Sequence, residues 1–92
     1  MLVHFYATLR SVVGQREVEI LLPDGAPVRQ LVSEIVTQYP ALRREMVDKR
    51  GNLQSHIHIF VNGRDITHLE NQIDTRLSSG DVISIFPPVG GG

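Results

Sequence analysis

The chain is predicted to be an α+β domain, a roll in which a mixed sheet of four to five strands packs on one main helix. Three observations carry this. Period-two alternation marks strands early and late in the 92-residue sequence, a single helical stripe lies between them, and turn residues separate the segments. A helix with one apolar face needs a sheet face to cover it.

Leu2 to Thr8 alternates, with Val3, Phe5 and Ala7 on one face and His4, Tyr6 and Thr8 on the other. Val13-Gly14-Gln15 turns the chain into a second strand, Gln15 to Leu22, which Pro23-Asp24-Gly25 closes. The short spacing between these strands predicts a hairpin. Val28 to Tyr39 switches to helical spacing, with Val28, Leu31, Val32, Ile35, Val36 and Tyr39 on one stripe. Pro27 suits the first turn, and Pro40 ends the helix by restricting Tyr39. Leu42 to Val47 is a further short helical turn, followed by the polar loop Asp48-Lys49-Arg50-Gly51-Asn52.

His56 to Val61 alternates again, placing Ile57, Ile59 and Val61 opposite His56, His58 and Phe60. Asn62-Gly63 is a hairpin signal because both residues tolerate positive φ, and Arg64-Asp65-Ile66 begins a short return strand. Leu69 to Leu77 is a weakly patterned connection, and Ser79-Gly80-Asp81 leads into the final strand, Val82–Phe86. That strand is expected beside the first, in the middle of the sheet. The whole is then a mixed-sheet α+β roll of the β-grasp kind. Its predicted core is Val3, Phe5, Ala7, Val18, Ile20, Leu31, Ile35, Ile57, Ile59, Val61, Ile83 and Ile85.

Composition narrows the function. A formal charge of −1 provides no electrostatic footprint for nucleic acid and no polybasic membrane patch. With no cysteine there is no disulfide framework, thiolate metal site or cysteine nucleophile. No apolar run has the length of a membrane span, and Met1 opens directly into a strand pattern, so a cytoplasmic protein is expected. The serines lack an elbow motif and a paired acid and base. His56 and His58 point the same way, with His4 on that face, but no carboxylate is placed by the pattern to complete a ligand set, so no metal is expected.

The informative stretch follows the last strand. Pro87 and Pro88 cannot donate to a ladder, so pairing stops there. Val89-Gly90-Gly91-Gly92 then forms a thin tail able to carry a carboxylate into a narrow cleft of another protein. The expected division is a domain over 1–86 and a flexible tail over 87–92. On the sheet face away from the helix, Tyr6, Phe60 and Phe86 replace the polar residues usual on a solvated face, which suggests a docking surface leading into the tail.

Tyr6-Ala7-x-Leu9-Arg10, Val61-Asn62-Gly63 and Gly80-Asp81-x-Ile83-x-Ile85-Phe86-Pro87-Pro88-Val89-x-Gly91-Gly92 together resemble the ubiquitin-like sulfur carriers. The chain is most similar to the small subunit of molybdopterin synthase, with thiamine and cysteine sulfur carriers and archaeal-type protein modifiers as relatives. The resemblance implies that a ubiquitin-activating-type enzyme adenylates the carboxylate of Gly92 with ATP and that sulfur then replaces the adenylate. The thiocarboxylate donates its sulfur to an acceptor. Gly92 is then the reacting residue with Gly91 beside it, and Tyr6, Phe60, Phe86, Pro87, Pro88, Val89 and Gly90 meet the partner. The resemblance further implies that the chain binds no cofactor of its own and serves as a non-catalytic carrier subunit of a sulfurtransferase complex, its acceptor being the synthase large subunit or another sulfur-accepting enzyme. Gly90 stands where the molybdopterin group more often has alanine, threonine or serine, and Arg43–Ser55 is longer than in the smallest carriers. The competing readings are a modifier joined to target lysines through Gly92 and a β-grasp interaction module with an inert tail.

Overall fold

The computed structural model describes residues 1–87. Five strands form one sheet in the order β2-β1-β5-β3-β4. They are β1 (Leu2–Phe5), β2 (Glu17–Glu19), β3 (His58–Val61), β4 (Arg64–Asp65) and β5 (Val82–Phe86). β5 runs parallel to β1 and antiparallel to β3, and the two outer pairings are antiparallel. The expected central position of the last strand is therefore observed.

Helix α2 (Val28–Gln38) covers the inner face. Its buried residues Val28, Leu31, Val32, Ile35 and Val36 are the expected stripe, and they join Val3, Phe5, Ile59, Ile83 and Ile85 in one core. Pro27 is the N-cap residue rather than the first helical one. Its carbonyl accepts from Gln30 and Leu31, while the Val28 N–H is satisfied by the Thr75 carbonyl. Tyr39 leaves helical geometry at φ −125° and ψ 77°, as a residue before proline should. A 3₁₀ turn at Pro40–Leu42 then leads into α3 (Arg43–Met46).

Eleven of the twelve expected core residues are buried; the exception is Ala7. The expected strand through Thr8 instead ends at Phe5, and Ala7–Val13 form helix α1. The Tyr6 N–H still reaches the Ile85 carbonyl at 3.2 Å. Ala7 then adopts φ +52°, which swings the chain out of the sheet and exposes Ala7. Leu9, fully buried, joins the core in its stead. The β1–β2 hairpin thus carries a helix in its connection, ended by Gly14 at φ +83°. β2 is shorter than Gln15–Leu22 because β1 gives it little to pair with, and Leu21 is 81% exposed.

β3 starts at His58, since Ile57 and the residues before it turn on the Ile57 N–H to Gln54 carbonyl bond. Asn62 and Gly63 take φ +52° and +83°, the two left-handed positions of a tight hairpin. Ile66 is buried in a 3₁₀ turn rather than in β4. Asp65 caps that turn, accepting from the Thr67 N–H at 2.9 Å, and this bond holds its carboxyl below the usual carboxylate range. The weakly patterned connection is pinned at Leu77, whose carbonyl accepts from Gly25 and whose N–H donates to Ala26.

Truncating Ile85 to alanine should cost about 2–5 kcal/mol, since it opens a cavity beneath the middle strand. The change in denaturation midpoint by circular dichroism measures it, and a loss under 1 kcal/mol would contradict the central packing.

Candidate functional site

The outer sheet face gathers the aromatic residues where the chain leaves β5. In the ladders, Ser84 of β5 lies between His4 and Phe60, and Phe86 lies opposite His58. Tyr6, just beyond β1, is held beside Phe86 by its N–H bond to Ile85. The Tyr6 and Phe86 rings stack with centroids 4.2 Å apart and planes 11° from parallel. Phe60 meets Phe86 edge-on at 5.4 Å and 77°. Such pairs contribute about 0.5–1.5 kcal/mol each beyond area burial.

The three rings anticipated on this face do come together. Tyr6 is 37% exposed, whereas Phe60 and Phe86 are half-buried because they cover one another. Pro87, next in the chain, is buried. The cluster therefore forms a firm base at the point where the chain departs. Pro88, Val89, Gly90, Gly91 and Gly92, the remaining anticipated site residues, lie outside the described residues.

Two polar features along β5 and its neighbours were not legible in the pattern. His4 has a carboxylate beside it after all, with Nε2 3.4 Å from Glu17 Oε2, because the hairpin register sets Glu17 opposite His4. Asn62, read as a turn residue, also clamps the start of β5. Its Oδ1 accepts from the Val82 N–H at 2.9 Å and its Nδ2 donates to Asp81 Oδ1 at 2.9 Å. Among the described residues no three histidine, aspartate or glutamate side chains are grouped to hold a metal ion. His56 is exposed in the turn ahead of β3 rather than on the strand. No helix among the described residues is long and apolar enough to cross a membrane.

A mixed five-stranded sheet with its last strand central, wrapped on one helix, is a β-grasp, ubiquitin-like fold. The ThiS family model matches residues 3–92, and the chain belongs to that family of ubiquitin-like sulfur carriers and modifiers. It is 35% identical to small archaeal modifier protein 3 of Haloferax volcanii over 88 residues, covering 96% of this chain and 94% of that protein. It is 41% identical over 85 residues to a protein of Archaeoglobus fulgidus provisionally named a sulfur carrier, covering 91% and 93%. A solved structure from Pyrococcus furiosus, provisionally described as molybdopterin converting factor subunit 1, superposes with a TM-score of 0.76 at 35% identity, covering 96% and 95%.

A double-mutant cycle of Tyr6→Ala and Phe86→Ala should give a coupling of about 0.5–1.5 kcal/mol in unfolding free energy. Additive losses would mean that the stack contributes nothing beyond the area each ring buries.

Proposed function

We propose that the protein is a sulfur carrier whose working group is the carboxylate of Gly92. An adenylating enzyme of the ubiquitin-activating type joins that carboxylate to AMP with ATP, releasing pyrophosphate. A sulfur donor then displaces AMP, and the resulting thiocarboxylate delivers sulfur to an acceptor enzyme. We assign the acceptor to molybdopterin synthesis, with the chain as small subunit beside a large synthase subunit. The likeness to the Pyrococcus furiosus structure supports this assignment.

The observation that carries the reading is the setting of β5. Flanked on both edges by β1 and β3, it is the best-anchored strand of the sheet, and it leads through buried Pro87 into Pro88-Val89-Gly90-Gly91-Gly92. A firm base before residues without side chains suits a chain end that must enter a narrow cleft. Pro87 to Gly92 can span at most about 20 Å, at roughly 3.3–3.6 Å per residue. Tyr6, Phe60 and Phe86 supply the apolar contact that holds the partner at the cleft mouth.

The Haloferax volcanii relative is named a modifier, and this favours a second reading in which the same activated Gly92 is joined to lysine amines of other proteins. Thiamine and cysteine synthesis are the other acceptor pathways for a carrier. Intact mass of the protein from cells separates the classes. Sulfur in place of one oxygen at the C-terminus identifies a carrier, branched lysine peptides identify a modifier, and an unchanged mass throughout identifies an inert module.

Deleting Gly91 and Gly92, or appending one residue after Gly92, should abolish ATP–pyrophosphate exchange with the cognate adenylating enzyme and leave the thermal midpoint unchanged. Gly90→Ala should be tolerated. Normal exchange by the truncated or extended chain would show that this carboxylate is not the working group. Separately, Phe86→Glu should weaken binding of the adenylating enzyme by about tenfold or more in calorimetry while far-ultraviolet circular dichroism stays native. Unaltered binding would remove the aromatic cluster from the interface.

A further inference from the structure

The sequence contains a single lysine, Lys49, and the fold holds it out on a braced loop. The Asp48 N–H donates to the Asn52 carbonyl at 2.8 Å, and the Gly51 N–H to the Asp48 carbonyl at 3.0 Å. Asp48 Oδ1 accepts from the N–H groups of Arg50 and Asn52 at 2.9 and 3.0 Å. Gly51 takes φ +84°, and the bridge between Val47 and Leu53 closes the base. Lys49 sits exposed at the tip and enters none of the ion pairs found among the described residues.

The other primary amine is withdrawn. The Met1 ammonium donates to the Ile20 carbonyl at 2.8 Å and to Glu19 Oε1 at 3.1 Å, beside a side chain that is itself buried. The arginines stay protonated and offer no nucleophilic lone pair. Lys49 is thus the one amine among the described residues that is both exposed and unengaged.

Its surroundings suit an anionic acyl donor. An open groove of about 910 Å³ is lined in part by Arg43, Arg44, Glu45, Val47, Asp48 and Lys49. Arg43, Arg44 and Lys49 outnumber the two carboxylates of the lining, Glu45 and Asp48, and Asp48 Oδ1 is turned inward to two backbone donors. An acyl-adenylate brings a negatively charged phosphate to such a site, which Arg43 and Arg44 complement.

We propose that Lys49 is the acceptor through which one copy of the chain is joined to Gly92 of a second copy. The inference rests on the reading that Gly92 is activated as an acyl-adenylate with ATP. The Lys49 ammonium first releases a proton to water. Its nitrogen then attacks the Gly92 carbonyl carbon; the C–N bond forms, the bond from that carbon to the phosphate oxygen breaks, and its electron pair leaves with AMP. The nitrogen loses a second proton to water, leaving an isopeptide. Each copy has one such acceptor, so any longer chain is unbranched and carries one type of linkage.

The test incubates the full-length chain with its adenylating enzyme, ATP and Mg²⁺ and no other acceptor protein. The expected product has twice the chain's mass less one water. Trypsin, which does not cut after an acylated lysine, should release residues 45–50 bearing residues 77–92 on Lys49. Lys49→Arg, which keeps the charge, should eliminate this product while leaving ATP–pyrophosphate exchange and the melting curve unchanged. A dimer that persists in Lys49→Arg, a branch at Met1, or normal exchange with no wild-type dimer would each overturn the proposal. Absence of exchange with the wild-type chain would overturn the activation reading and this proposal with it.

Discussion

Everything in this molecule depends on the pairing of β5 with both β1 and β3. The ladders from Leu2↔Val82 to Phe5↔Ile85 on one side and from His58↔Phe86 to Val61↔Ile83 on the other join two hairpins that otherwise share no edge. Neither hairpin is wide enough to be stable in water alone. Ile83 and Ile85, both fully buried, point from this shared strand into the face that α2 covers. Alternation then sends Ser84 and Phe86 to the opposite face. One strand thereby sets the core on one side and the aromatic cluster on the other.

The clamp from Asn62 reinforces the same junction. A residue whose backbone is needed in the left-handed region for the β3–β4 turn also holds the first N–H of β5 with its side chain. Turn geometry and strand register are therefore set by one asparagine. At the far end of β5, ring stacking takes over from hydrogen bonding: Tyr6, just past β1, and Phe60 of β3 grip Phe86 from either side. The strand is fixed at both ends by different chemistry, polar where it enters and apolar where it leaves.

The α2 stripe, the Asn62-Gly63 turn and the parity of β5 were legible because each is a local signal whose period or backbone requirement has one solution. α1 was not. Val3, Phe5 and Ala7 keep strand parity in the sequence, and nothing local announces that an alanine will take φ +52°. The i, i+4 pair Leu9 and Val13 was the available clue, since it is helical spacing inside a supposed hairpin turn. The His4–Glu17 contact was invisible for another reason: it depends on the β1–β2 register, which the inserted helix leaves undetermined from sequence. The aromatic cluster was foreseen by parity, but its mutual covering depends on ring orientations that only packing decides. The tail residues carrying the proposed chemistry belong to the described structure only as far as Pro87.

The central strand is also the last of the five to be synthesised. A nascent chain that has not reached residue 82 contains β1 with β2 and β3 with β4, but no strand to unite them, and the apolar faces of both halves remain uncovered. Assembly must therefore wait until β5 has been made. This gives translation an inspection step. A prematurely terminated product lacks the folded body, and with it the assembled aromatic face, so any partner that docks there meets only chains whose synthesis has run through β5.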